Sequence, residues 1–279
     1  MLTRVIAIVV IMAAMGANVI QQPAAPGGGI TCDETSPTWS EDFDGATACI
    51  GDTCDNSGWA EEIVGTGSDN DADAAGHTGD GFPGQELHSL GSTASGTERA
   101  WVQSGIMSGS DARGTWTFSF RADVLDLANN EEAIIFSTYA STTNEPPAVV
   151  VETDGAGAET IHLYCDTASV ASATLTKGVL YKGELRYNES GTGAVDRCAL
   201  TLYECTASND LANCNPTPVI DSDASTYNFT TNASRIRAGI GRRPSDNGDI
   251  SNAGGSPQND VYVDSIFFWQ LDFTQRCGP

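Results

Sequence analysis

Residues 115–124 (TWTFSFRADV) alternate without a break. Trp116, Phe118, Phe120, Ala122 and Val124 fall on one side, and Thr115, Thr117, Ser119, Arg121 and Asp123 on the other. A period of two marks a strand with one buried face, because successive side chains leave a pleated backbone in opposite directions. A helix over the same span would scatter these apolar residues around its axis. Similar runs follow at 133–139, 148–152, 160–165, 179–187, 198–204, 235–240 and 261–269, and weaker ones precede them at 39–43, 59–64, 86–90 and 100–105. No stretch sustains a helical period, and 30 glycines with abundant Ser, Thr, Asn and Asp supply the turns. The pattern predicts an all-β chain folded as a two-sheet antiparallel β-sandwich.

The start of the chain predicts export. Arg4 precedes an unbroken apolar run from Val5 to Met15, too short to span a bilayer, with Ala14 and Gly16 in the small-x-small pattern of a cleavage site. A signal peptide is expected over 1–17, cut after Gly16 or Ala17, then a Pro/Gly-rich linker over 18–31 and one β-sandwich domain over 32–279. No span is expected in the mature chain, which is read as secreted. Eight cysteines suit an oxidising compartment. Cys49–Cys54 and Cys205–Cys214 would close short loops, Cys32 and Cys277 bracket the domain, and Cys165 and Cys198 remain, each in a strand-like run. A zinc site using His162 and Cys165 is disfavoured, since residues three apart on a strand face opposite ways.

Charge narrows the partners. The chain carries 13 Lys+Arg against 37 Asp+Glu, a formal charge of −24. Nucleic acid and anionic membrane surfaces need clustered cations to displace counterions, so neither is an expected partner.

Several segments carry a family resemblance. Trp39-Ser40-Glu41-Asp42-Phe43-Asp44-Gly45 resembles the opening strand of concanavalin A-like lectin/glucanase domains. TWTFSFRADV, AIIFSTYAS, IHLYC and YKGELRYN follow in the order of the laminin-G-like and pentraxin-like strands. Val261-Tyr262-Val263-Asp264-Ser265-Ile266 is similar to the closing strand. The resemblance covers roughly residues 39–271 and implies a concanavalin A-like jelly roll. It also implies a structural calcium ion held by Asp42 and Asp44 of the first strand and Asp264 of the last, carboxylates being suitable hard ligands.

The catalytic patterns of that superfamily are incomplete here. Its glucanases place acids along one strand; Glu152 and Asp154 match the first two positions, but Ala156 and Gly157 stand where the last acid belongs. Glu131 and Glu132 are adjacent and would point to opposite faces. All of these read as solvated strand ends. Ile161-His162 and Glu184-Leu185-Arg186 resemble fragments of the polysaccharide lyases, in the reverse order. No catalytic residue is therefore assigned; were the chain an enzyme, it would be a polysaccharide lyase or a glycosidase.

Asp69, Asp71, Asp73 and Asp80 match four positions of a calcium loop, but Ala74 replaces the turn glycine, so this segment reads as an acidic solvated loop. For ligand contacts, Trp59, Trp101 and Tyr139 sit near strand ends where a ring could stack on a sugar, while Trp39, Trp116 and Trp269 read as core. Lys182, Glu184 and Arg186 make one charged strand face, and Arg242 lies in a loop where it could meet an anionic glycan. The chain is thus expected to be a secreted glycan-recognition or adhesion module binding a carbohydrate or glycoconjugate. A structural component of an extracellular surface or particle is the alternative.

Overall fold

The structure is a computed structural model. It describes residues 39–41, 60–65, 68–73, 86–91, 97–104, 114–125, 131–139, 147–153, 158–165, 168–188, 196–205, 214–222, 225–227, 235–241, 250–251 and 259–270, with Cys32, Pro37, Phe43, Phe82, Leu127 and Cys277. The expected signal peptide and linker lie outside the described residues, as do Asp42, Asp44, Asp80, Trp59, Arg242, Cys49 and Cys54.

The strands form two antiparallel sheets. The first runs β13 (Ile220–Asp221), β12 (Asp196–Glu204), β11 (Leu180–Asn188), β6 (Gly114–Val124), β17 (Asp260–Trp269), β4 (Glu86–Leu90) and β3 (Asp69–Asp73). In it β1 (Trp39–Glu41) pairs with β17, and β14 (Ser225–Tyr227) with β12. The second sheet runs β10 (Ala168–Thr174), β9 (Glu159–Cys165), β8 (Ala148–Thr153), β7 (Glu132–Tyr139), β15 (Arg235–Ile240), β5 (Thr97–Gln103) and β16 (Ile250–Ser251), with β2 (Ala60–Val64) beside β5. First and last strands lie side by side, Glu41 opposite Ile266.

The core fills the space between the sheets, as the alternation of β6 requires. Trp116, Phe118, Phe120 and Ala122 face inward and are buried. Phe118 stacks on Phe136 of the opposite sheet at 4.5 Å, Trp116 on Phe268 at 4.5 Å and Phe120 on Tyr181 at 5.1 Å. Full burial of each such ring stabilises the fold by roughly 1.5–3 kcal/mol before entropy is counted. Three disulfides are present among the described residues: Cys32–Cys277, Cys165–Cys198 and Cys205–Cys214. These are pairings expected from the sequence. Cys165 closes β9 in the second sheet and Cys198 lies in β12 of the first, so this bridge crosses the core.

Three expectations are corrected. First, β6 is not half-solvated: Thr115, Thr117 and Ser119 on its outer face are buried too. Cys277 lies against that face, where its backbone N–H donates to Glu184 Oε2 at 2.9 Å. Arg186, expected on a charged ligand face, is only 4% exposed, and its guanidinium Nε lies 3.4 Å from Glu184 Oε1. Second, Asp69–Asp73 is strand β3, paired with β4 along its length, and not a loop. Ladder bonds made by a neighbour override the low strand propensity of aspartate, and acids on an edge strand oppose unwanted pairing. Third, Trp269 is buried but on the outer side of its sheet, opposite Thr115, with its ring near Phe267.

Gly183 sits opposite Phe118 on the neighbouring strand, and a Cβ there would overlap the Phe118 ring. The ring can stack on Phe136 because this position is bare. Gly183→Ala should therefore destabilise the fold by about 1–3 kcal/mol, read as a lower urea midpoint with an unchanged slope.

Candidate functional site

Registers along β7, β8, β9 and β10 decide what the outer face of the second sheet presents. Ala133, Val149, Val151, Ile161, Leu163 and Cys165 point into the core. The alternate residues must face outward, since strand neighbours point to opposite sides. Glu132 thereby stands directly opposite Glu152, Glu152 opposite Thr160, Tyr164 opposite Ser169 and His162 opposite Ser172.

This face has two parts. Toward β5 it is closed. Trp101, Ile134, Ala148, Val150 and Tyr164 form a small apolar cluster apart from the main core. The Arg237 guanidinium lies 4.2 Å over the Trp101 ring, and its Nε donates to Gln103 Oε1 at 2.9 Å. Trp101, expected as an open stacking platform, is therefore only 1% exposed, covered by a cation–π contact.

Toward β10 the face is open. The Tyr164 hydroxyl donates to Glu152 Oε1. His162 Nε2 lies 3.5 Å from Glu152 Oε2, and His162 Nδ1 is 2.8 Å from Ser169 Oγ. Side-chain exposure is 29% for Glu152 and 17% for His162, and Ser169 and Ser172 are exposed. Carboxylate, imidazole, phenol and hydroxyl groups thus meet on a rigid sheet within reach of solvent. Burial holds the His162 imidazole below its ordinary range, with the Glu152 charge working against that shift. A neutral ring with Nε2–H toward the carboxylate leaves Nδ1 as acceptor for the Ser169 hydroxyl.

The sequence grouped none of these residues. Glu152 and Glu132 read as solvated strand ends, whereas Glu132 is buried and facing Glu152 across the ladder. Of the residues expected at a ligand site, Trp101 and Arg186 are buried on opposite sheets and Tyr139 ends β7 opposite Arg235. Trp59 and Arg242 lie outside the described residues. His162 and Cys165 do face opposite ways, Cys165 being bonded in the core. His88 is an ordinary structural histidine, stacked on Tyr262 at 4.4 Å with Nε2 2.6 Å from Asp260 Oδ1. Asp264 is buried on the outer side of its sheet; its Oδ2 accepts the Ser265 hydroxyl at 2.8 Å. Among the described residues no three His, Cys, Asp or Glu side chains converge as metal ligands.

No family model matches the sequence, and no curated protein does. Solved structures match the fold. The catalytic domain of the glycoside hydrolase family 131 protein from Coprinopsis cinerea superposes with a TM-score of 0.51 at 14% identity, over 85% of this chain and 96% of that one. A family 131 β-glucanase catalytic domain from Podospora anserina gives 0.49 at 11%, over 85% and 98%. A prokaryotic β-1,3-1,4-glucanase (lichenase) from a mouse hindgut metagenome gives 0.42 at 9%, over 84% and 99%. The chain is a concanavalin A-like β-sandwich, a fold it shares with glycoside hydrolases. Its disulfides are consistent with an extracytoplasmic, oxidising location, and among the described residues no helix is long and apolar enough to cross a membrane.

The lowered His162 pKa has a sign that can be checked. The unfolded imidazole binds its proton near pH 6.5 and the folded one at lower pH, so stability holds above 6.5 and declines as pH falls below it. Glu152→Gln removes the charge that opposes the shift. In that variant, NMR titration of the His162 ring should show its pKa falling further.

Proposed function

We propose that this protein is a secreted glycan-recognition module whose saccharide site is the open β8–β10 patch of the second sheet. The observation that carries this reading is the convergence of Glu152, His162 and Ser169, partly exposed, on a rigid strand surface. Sugar hydroxyls both donate and accept, so a site needs fixed acceptors such as a carboxylate beside amphoteric groups such as imidazole and hydroxyl. The first sheet is disfavoured as the site because Glu184 on its outer face is buried and accepts from the Cys277 amide. The structural match to a glycoside hydrolase catalytic domain supports a carbohydrate ligand by analogy of fold.

A second reading, hydrolysis, is favoured by one feature: Glu132 and Glu152 stand directly opposite on paired strands. Two carboxylates flanking one bond are the equipment of glycoside cleavage. One experiment separates the readings. Glycan-array screening followed by calorimetry should find an oligosaccharide that binds the wild type, and Glu152→Ala should weaken it by about 1.5–3 kcal/mol, roughly 10- to 100-fold in Kd. New reducing ends in the same mixtures, lost in Glu132→Gln, would establish the hydrolase. An array with no ligand refutes glycan recognition.

A structural calcium ion at the β1–β17 seam is a separate proposal. It rests on Asp264 together with Asp42 and Asp44, which follow β1 on either side of Phe43 and lie outside the described residues. Because a cation bound only by the folded state stabilises it by about 2.7 kcal/mol at a hundredfold excess over Kd, the Tm should rise with millimolar Ca²⁺ and fall with chelator. Asp264→Asn should abolish most of that response. A Tm indifferent to calcium removes the ion.

A further inference from the structure

Ser169 is an exposed hydroxyl on β10, the end strand of the second sheet's pairing order. It lies 2.8 Å from His162 Nδ1, and the opposite ring nitrogen faces the Glu152 carboxylate at 3.5 Å. Tyr164 in turn holds the other Glu152 oxygen. A hydroxyl against a base, with the base oriented by an acid, is the arrangement that activates a serine. We propose that Ser169, His162 and Glu152 form an acyl-transfer centre that hydrolyses O-acyl esters, removing small acyl groups such as acetyl from sugar hydroxyls.

The geometry assigns each part. Ser169 Oγ attacks the ester carbonyl carbon while its proton passes to His162 Nδ1. The C–O bond to the sugar breaks, and the departing oxygen takes that proton. Water then attacks the acyl-serine, giving its proton to the same nitrogen, and the carboxylic acid leaves as the serine hydroxyl is restored. Either imidazole nitrogen can serve as the base; here Nδ1 does so, while Nε2–H faces the carboxylate that stabilises the imidazolium. Burial, which lowers the His162 pKa, favours the neutral ring that accepts this proton. Glu152 and Tyr164 are positioning residues. The ladder between β9 and β10 is irregular between Ser169 and Ala171, and Val170 has no partner in the register.

The sugar half of the substrate rests on the glycan-binding reading above, but the ester chemistry does not, and the tests keep them apart. Diethyl p-nitrophenyl phosphate phosphorylates activated serines without any glycan. Peptide mass spectrometry should locate its adduct on Ser169, and His162→Ala should slow labelling by about 10²- to 10⁴-fold. Ser169 is exposed, so Ser169→Ala should fold normally and remain unlabelled. The charged and titratable groups facing His162 are Glu152 from β8 and Tyr164 from its own strand; β10 offers only the hydroxyls of Ser169 and Ser172. Glu152→Gln should therefore move the acid limb of the labelling rate to lower pH, a change that mere misfolding would not produce. No adduct, an adduct elsewhere, or labelling that survives His162→Ala overturns the proposal. If Ser169 is labelled but acetylated polysaccharides release no acetate, the acyl-transfer centre stands and the glycan assignment fails.

Discussion

The Cys165–Cys198 bridge is the constraint on which the functional face depends. Cys165 ends β9 and Cys198 lies in β12, so the bond ties the two sheets at the end where β10 is the last strand. Edge strands are held by one neighbour only and are the first to part from a sheet. Closing a 33-residue separation removes loop entropy from the unfolded chain, an effect on the order of 2–4 kcal/mol. Tyr164, one residue before the bonded cysteine, and His162, three before it, inherit that rigidity. Their faces are opposite to the sulfur, so the strand is anchored from inside while its chemistry looks out.

The two sheets have divided their roles. The first spends its outer face on the molecule itself: Glu184 and Arg186 are buried as a pair, Glu184 accepts from the Cys277 amide, and Cys277 is bonded to Cys32. A buried ion pair contributes little net stability once desolvation is counted. It does give the Cys277 amide a fixed acceptor. The second sheet is closed over Trp101 by Arg237 and left open from Glu152 to Ser172. The accessible polar cluster is the part of this sheet's outer face that Arg237 and Trp101 do not close.

The sandwich was legible because alternation in β6 is a local signal, and the three described disulfides were anticipated on separate grounds: a short loop for Cys205–Cys214, the domain's two ends for Cys32–Cys277, and the remaining pair for Cys165–Cys198. Of the strands that escaped, two did so for opposite reasons. β3 is almost wholly acid and looked like a loop; β10 (ASVASAT) has no large apolar residue to mark its period. The site was illegible because it exists only in register. Glu132 and Glu152 are twenty residues apart and His162 ten further on, and a one-residue slip of either hairpin would send any of them to the core side. The burial of Trp101 was illegible for a related reason: nothing local indicates that Arg237 will lie on its ring. Composition identifies residues able to bind, and cross-strand neighbours decide which are free to do so.

The ladder between β17 and β6 holds one extra residue between Asp264 and Phe267, beside Ser265 in the left-handed region at φ 52°. Before it, Val261 and Val263 point inward; after it, Ile266 and Phe268 do. Odd-numbered positions give way to even ones within a single strand. The chain consequently leaves β17 with Trp269 outward, on the side where Cys277 must find Cys32. Parity in this strand therefore behaves as an address for the residues that end it. Changes of length within β17 are tolerable in twos, whereas a single deletion at the bulge would deliver the following residues to the wrong side of the wall.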